Sequence, residues 1–333
     1  MRIIITGATG AFGGAMVRHF AAQGHDVIAS GRKSNPPKSL LALAEYVQAD
    51  ITKPFELPDA DVCIHGAALS DDKASSKELY LPNIVGTENT IEAASKCKKF
   101  IFVSSSSVYL PQQDLITEEI AGKQNNKMLS PYGHSKLLSE ETLRNNYKGD
   151  QCFILRPRAF YGVGDTQIIP RMMKLVKNEK FNRPGKLDIQ LSMTHYTNMA
   201  AAIECCIESE LKGVRTYNVA DDETYVMIEV LRKIFSTVYG KKLAEKEISI
   251  GLLKVLAFFR IAGFTPLLVR ALTQNMVLDI SKIKQELNYQ SAIKFEESLN
   301  DIKNWIEAIG GYQTLLAIEK LNVWGNEVSP KEQ

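Results

Sequence analysis

Tyr132 and Lys136 stand four residues apart in Pro131-Tyr132-Gly133-His134-Ser135-Lys136, a segment that reads as the start of a helix with Pro131 in its first turn. That spacing puts both side chains on one helical face. A tyrosine with a pKa of about 10 is a poor base at neutral pH. A nearby ammonium stabilises the phenolate and lowers that pKa, so the hydroxyl can exchange a proton with an alcohol or a carbonyl. The same spacing also describes an ordinary pair on a helix surface. Upstream, Phe102-Val103 runs into Ser104-Ser105-Ser106-Ser107-Val108-Tyr109. A serine hydroxyl there can hold a reacting oxygen, although serine also favours turns for its own sake.

Proton exchange needs something to react with, and the N-terminus supplies a candidate. Gly7-Ala8-Thr9-Gly10-Ala11-Phe12-Gly13 follows the apolar run Ile3-Ile4-Ile5 and opens a helical pattern. Gly7 allows the tight turn, Gly10 lets backbone approach a pyrophosphate, and Gly13 lets the helix pack close to the strand. The helix N-terminus then offers unpaired N–H groups to phosphate. This reads as a dinucleotide site contacted by Gly7, Thr9, Gly10, Ala11, Phe12 and Gly13. An oxidised nicotinamide ring would add to the lysine's effect on Tyr132. An NAD site usually has an acidic residue about 20 positions on, for the ribose 2′-OH. Here Ala29-Ser30-Gly31-Arg32-Lys33 has none. Arg32 and Lys33 suit a 2′-phosphate, with Ser30 as a hydroxyl donor, which favours NADP over NAD; otherwise the two cations are simply solvated. Asp50-Ile51 reads either as a carboxylate near the adenine amino group or as a turn cap.

Composition narrows the partners. The 333 residues are 45% hydrophobic and 23% charged, as in an ordinary globular protein of one large or two smaller domains. Forty Lys and Arg against 38 Asp and Glu leave a net charge of +2, too little to draw the chain to nucleic acid. Five cysteines, an odd count with no C-x-x-C, read as free thiols in a reducing, cytoplasmic setting. The five histidines are scattered, so no metal site is expected. The first apolar run is too short for a signal peptide. The greasiest stretch, residues 251–272, is broken by Lys254, Arg260 and Arg270, and cannot span a bilayer.

The elements that must position these groups follow from the pattern. Strands are expected at residues 3–6, 26–30, 46–48, 61–65, 100–104 and 152–155, with helices at 13–23, 84–95 and 132–147. Strand–helix alternation argues for a doubly wound parallel sheet, an α/β Rossmann domain whose ligands sit at the carboxyl ends of the strands. We place it at 1–162, with elements of about 195–222 returning to it. Residues 163–325 read as a smaller, mostly helical substrate lobe, with helices at 168–177, 198–209, 227–239, 283–287 and 295–309 and a strand at 215–219. Residues 326–333 read as a frayed polar tail.

Taken in order, these stretches resemble the extended short-chain dehydrogenase/reductase family, which includes NAD-dependent epimerases and dehydratases. The resemblance runs from Met1 to about Trp305. It rests on the glycine loop, Asp50-Ile51, Asp61-Val62-Cys63-Ile64-His65-Gly66-Ala67-Ala68, Asn83-Ile84-Val85-Gly86-Thr87, Ser104–Tyr109, Tyr132/Lys136, Arg156-Pro157…Tyr161-Gly162, Tyr217-Asn218-Val219 and Asp279-Ile280-Ser281-Lys282. It implies that Tyr132 is the acid/base, and that Lys136 is its partner and a ribose ligand. Ser105 matches the catalytic serine, with Ser106 as its rival. Asn83 would shape the active-site wall and the proton relay. Gly66, Ala67, Ala68 and Pro157 would line the cofactor cleft.

The departures from the family bear on the substrate. Nucleotide-sugar members carry an asparagine where Ala159 stands, and an arginine near the position of Leu191. Leu110-Pro111 also replaces a usual glycine. Residues 251–272 are apolar where the substrate lobe should be, as in the 3β-hydroxysteroid dehydrogenase-like branch. That stretch reads equally as a lid over a lipophilic substrate or as a helix or subunit interface, with a peripheral membrane contact as a third reading. The expected activity is NAD(P)-dependent interconversion of a secondary alcohol and a ketone on a hydrophobic, steroid- or lipid-like small molecule. The alternatives are a nucleotide-sugar epimerase or dehydratase with retained NAD, and a non-catalytic dinucleotide sensor. By analogy with the family, a homodimer is expected.

Overall fold

A computed structural model describes residues 1–71, 73–112, 114–259 and 265–317. The expected tail at 326–333, and with it the far end of the 163–325 stretch, lies outside the described residues.

Seven parallel strands form the central sheet: β1 (Arg2–Thr6), β2 (Asp26–Gly31), β3 (Glu45–Gln48), β4 (Val62–His65), β5 (Lys99–Val103), β6 (Gln151–Pro157) and β7 (Gly213–Val219). Their order is β7-β6-β5-β4-β1-β2-β3. Each lies within two residues of its expected ends. Ile3, Ile4 and Ile5 are fully buried, as a strand covered on both faces requires. The order reverses between β1 and β4, which opens a crevice at their carboxyl ends.

Helices α1 (Ala11–Ala22), α2 (Gly86–Ala93), α3 (Pro131–Asn146) and α4 (Tyr196–Glu208) cover the sheet. Met16, Val17 and Phe20 of α1 and Met199 and Ile203 of α4 pack on the face bearing Ile3 and Ile5. Ile91 of α2 and Leu143 of α3 pack on the face bearing Ile4 and Phe100. The helix expected at 84–95 is preceded by a wide, π-type turn over Tyr80–Val85, where Asn83 sits. Such turns are frequent at functional sites.

A second core gathers Tyr161, Met173, Phe181, Leu231, Phe235 and Phe295. It is less helical than the sequence suggests. The helix expected at 168–177 stops at Met173, and Val176–Lys177 pairs antiparallel with Lys180–Pro184. Asn178 and Glu179, at φ 49° and 54°, make the two-residue turn between them. Ala244–Ile248 adds a parallel strand on Lys180–Pro184. The apolar 251–272 stretch contains helices Ile250–Phe258 and Pro266–Ala271, which meet through Leu253, Ala257 and Val269. Phe258 and Phe259 stay 79% and 65% exposed. No helix among the described residues is long and apolar enough to cross a membrane.

Candidate active site

The glycine loop is built by close approach. Gly7 takes φ 72°, and the Gly10 N–H donates to its carbonyl at 2.9 Å. A Cβ at Gly13 would collide with that same carbonyl, so only glycine lets α1 start there. Gly10 caps α1 without any side-chain bond, which leaves the helix N-terminus available to phosphate. Gly66–Ala68 closes the opposite side. A Cβ on Gly7 would lie 2.9 Å from Ala67 Cα, and one on Gly66 would lie 2.7 Å from the Phe12 ring. Phe12 stacks on Phe160 with ring centroids 5.2 Å apart. Its ring, half-buried, thus packs between Phe160 and the Gly66 segment.

At the end of β2, a Cβ on Gly31 would lie 3.1 Å from Tyr46 Oη and 3.3 Å from Thr9. Tyr46 and Thr9 crowd the place where the side chain of an acidic residue would start, and glycine leaves no carboxylate there. Arg32 and Lys33 are exposed and enter no ion pair among the described residues. Ser30 is different: it is 1% exposed, its hydroxyl has no partner among the described residues, and it offers no open face for a phosphate. Asp50 caps its own turn, accepting from the Thr52 N–H at 3.1 Å and hydroxyl at 2.8 Å. Those bonds, led by the hydroxyl, hold its carboxyl below the usual range. Ile51 is buried, and a Cβ on Gly86 would lie 2.7 Å from its Cδ1.

Tyr132 and Lys136 ride on the first turns of α3. Ser130 caps the helix, its hydroxyl accepting from the Gly133 N–H at 3.0 Å. A Cβ on Gly133 would collide with the Ser107 carbonyl. Glycine beside Tyr132 therefore lets this turn lie directly against the serine loop. Tyr132 is half-buried and Lys136 is 3% exposed. Lys136 Nζ donates to the Val103 carbonyl at 2.7 Å and lies 4.3 Å from the Phe102 ring centre. Burial, opposed by Glu140, pulls the ammonium from its ordinary 10.5 to about 7.

Of the two rival serines, Ser105 is half-buried and Ser106 is 3% exposed. Ser105 Oγ accepts from the Ser107 N–H and donates to Ser107 Oγ, both at 3.1 Å. It is thus held at the mouth of the loop beside Gly133. Asn83 is committed to the wall. Its Oδ1 accepts from the Leu69 N–H at 2.7 Å, and its Nδ2 donates to Leu69 O at 3.1 Å and to Ser135 Oγ at 2.9 Å. Its carbonyl accepts from Thr87 and Ser139 at 2.6 and 2.8 Å. Asn83 ties the Gly66–Leu69 segment to α3. Pro157 is the buried last residue of β6.

Two supports carry no sequence signal of their own role. Glu140, 1% exposed, chelates Arg156 at 2.9 and 2.6 Å and accepts from Ser104 Oγ at 2.6 Å. This pins α3 to β6 and to the end of β5, one turn below Lys136. His65 is fully buried between Thr6 and Thr87. Thr87 spends its one proton on Asn83 O, so His65 Nε2 donates to it at 3.2 Å and Nδ1 accepts from Thr6 at 2.8 Å. Thr6 Oγ1 in turn accepts from the Ala67 N–H at 3.1 Å. Burial first and Lys136 second pull His65 down to about 3, so it stays neutral.

The loop, the uncapped helix and the ammonium at the strand ends fit a dinucleotide. Comparisons agree. The chain is 24% identical over 330 residues to a 2-alkyl-3-oxoalkanoate reductase of Stenotrophomonas maltophilia (strain K279a), covering 91% of this chain and 98% of that one. It is 23% identical over 328 residues to a 3-beta-hydroxysteroid dehydrogenase of Mycolicibacterium neoaurum, covering 90% and 89%. The solved UDP-glucuronic acid 4-epimerase from Bacillus cereus, in complex with NAD, shares the fold at TM-score 0.71 and 19% identity, covering 92% of this chain and 99% of that one. Residues 3–220 match the NAD dependent epimerase/dehydratase family; the chain belongs to it, as an enzyme of the extended short-chain dehydrogenase/reductase type.

Proposed function

We propose that this enzyme interconverts a ketone and a secondary alcohol on an apolar substrate, with NADP(H) preferred over NAD(H). The carrying observation is the Gly133 contact, which sets the Tyr132 turn against the Ser105 loop with the Lys136 ammonium buried at the same strand ends. When bound, the nicotinamide dinucleotide supplies or accepts the hydride. In the reducing direction the Tyr132 hydroxyl gives its proton to the carbonyl oxygen. In the oxidising direction it takes the alcohol proton back. Ser105 holds that oxygen, and the Lys136 ammonium favours the phenolate form of Tyr132. The glycine loop and the α1 N-terminus hold the pyrophosphate. The lack of a carboxylate at Gly31, followed by exposed Arg32 and Lys33, supports a 2′-phosphate.

Three features favour an apolar substrate over a nucleotide sugar. Ala159 packs on the second core, and Leu191 is 4% exposed within it. Neither presents a donor to a diphosphate. The helices Ile250–Phe258 and Pro266–Ala271 leave Leu252, Val255, Phe258 and Leu268 uncovered. Two relatives, named for 2-alkyl-3-oxoalkanoates and a 3-beta-hydroxysteroid, have an oxo or hydroxyl group on an apolar skeleton in common.

The test is a panel of fatty, sterol and sugar-nucleotide ketones and alcohols, read by nicotinamide absorbance with NADPH and NADH in parallel. Tyr132→Phe should reduce kcat about 10²- to 10⁴-fold while NADPH still binds. Near-full activity of Tyr132→Phe on a turned-over substrate would refute the mechanism. NAD retained through purification, with no net turnover of free cofactor, would favour the epimerase reading instead.

A further inference from the structure

Arg158 is the first residue beyond β6, and its backbone N–H donates to Thr194 Oγ1 at 3.1 Å. Its chain neighbours are all engaged. Arg156 is chelated by Glu140, Ala159 packs on the second core, and Phe160 stacks on Phe12. The Arg158 side chain has no such partner. Its Nε is closed off from solvent and makes no hydrogen bond, and no carboxylate among the described residues faces it. Of the guanidinium only Nε is so enclosed, and it forfeits its hydration for no bond in return. Burial pulls this guanidinium from 12.5 down to about 10, so it remains a cation at neutral pH. The residue as a whole keeps partial exposure, so a ligand can reach it.

The register brings the backbone of Arg158 next to the candidate active site. Val103 pairs with Leu155, and the Ser104 N–H donates to Leu155 O at 2.7 Å. Continuing that register sets Ser105 beside Pro157, one residue before Arg158, on strands about 4.8 Å apart. Lys136 is bonded to Val103 at the same edge of the sheet. The cofactor's phosphates already have the α1 N-terminus, and Ala159 and Leu191 add no further donors. A single planar guanidinium among apolar residues suits one carboxylate, bound through two parallel hydrogen bonds, better than a diphosphate.

We propose that Arg158 is a specificity residue that takes the carboxylate of the substrate, so that the enzyme's preferred substrates are apolar hydroxy or oxo acids rather than neutral ketones and alcohols. The position of the reacting carbon rests on the reading of Tyr132 given above; the carboxylate site rests on Arg158's own surroundings.

Two measurements keep these readings apart. First, the NADP⁺-loaded protein is titrated calorimetrically with decanoate, decanamide and UDP-glucose. Decanoate should bind about 10- to 100-fold more tightly than decanamide, the range expected for a hydrogen-bonded charge. Arg158→Met should bring the two to parity, and Arg158→Lys should keep part of the preference, which also covers a methionine variant that fails to fold. Equal binding of acid and amide by the wild type, an unchanged ratio in both variants, or stronger binding of UDP-glucose lost with Arg158 would overturn the proposal. Second, oxidation of 3-hydroxydecanoate and its methyl ester by NADP⁺ is followed. Turnover of both with no preference that depends on Arg158 refutes the carboxylate site and spares the oxidoreductase reading. Arg158-dependent decanoate binding without turnover of any alcohol does the reverse.

Discussion

Replacing Lys136 by methionine is expected to stabilise the free protein while removing its activity. The ammonium is 3% exposed and has one carbonyl partner, Val103, and one ring, Phe102. Desolvation outweighs the attraction of Glu140 and lowers its pKa from 10.5 to about 7. At about 1.4 kcal/mol for each tenfold change, holding the charge costs the folded state about 5 kcal/mol. Methionine keeps the stem and removes that cost, but it leaves the Val103 carbonyl unpaired, which takes back about 1–3 kcal/mol. The net gain is about 2–4 kcal/mol. The gain also has a definite pH dependence. Below pH 7 both folded and unfolded lysine hold their proton, so the cost is present in full. Between pH 7 and 10.5 the unfolded chain keeps a proton that the folded chain has released, so the wild type gains stability as pH rises. The advantage of Lys136→Met should therefore shrink by about 3 kcal/mol between pH 6 and pH 9. Urea unfolding of both proteins at the two pH values, followed by circular dichroism, measures it. A variant less stable than wild type at pH 6, or a difference that ignores pH, would refute the reasoning.

Other outcomes follow from the same contacts. Arg32→Ala should raise the KM for NADPH about 10-fold and leave NADH nearly unchanged, because only the phosphate loses a charge-assisted bond; steady-state kinetics with both cofactors checks it. Glu140→Gln should cost about 3–5 kcal/mol in chemical denaturation, since Arg156 then stays buried without its countercharge. Gly133→Ala should lower kcat and destabilise by about 1–3 kcal/mol, as the added methyl forces α3 off the Ser107 carbonyl; kinetics and melting measure the two effects together.

Much of this protein is legible in its order of residues. The spacing of Gly7, Gly10 and Gly13 after a triple-isoleucine run is a local signal, because a strand, a tight turn and a helix start need only neighbouring residues to agree. The four-residue step from Tyr132 to Lys136 and the strand–helix alternation are local in the same sense, and they carry the parallel sheet with its crevice. The tertiary structure decided the rest, since burial and partnership come from distant segments. Lys136 has its proton affinity set by burial and is bonded to a carbonyl 33 positions away, and Arg156 meets Glu140 across 16. Ser30 looked available as a phosphate donor until its neighbours in the sheet enclosed it. The turn at Asn178-Glu179 ended a helix that apolar periodicity alone would have continued. Arg158 reads in the sequence as one arginine among many; only the fold shows that no carboxylate among the described residues pairs with it. A side chain's charge state and reach depend on the free energy of its surroundings, and those surroundings exist only once the chain has folded.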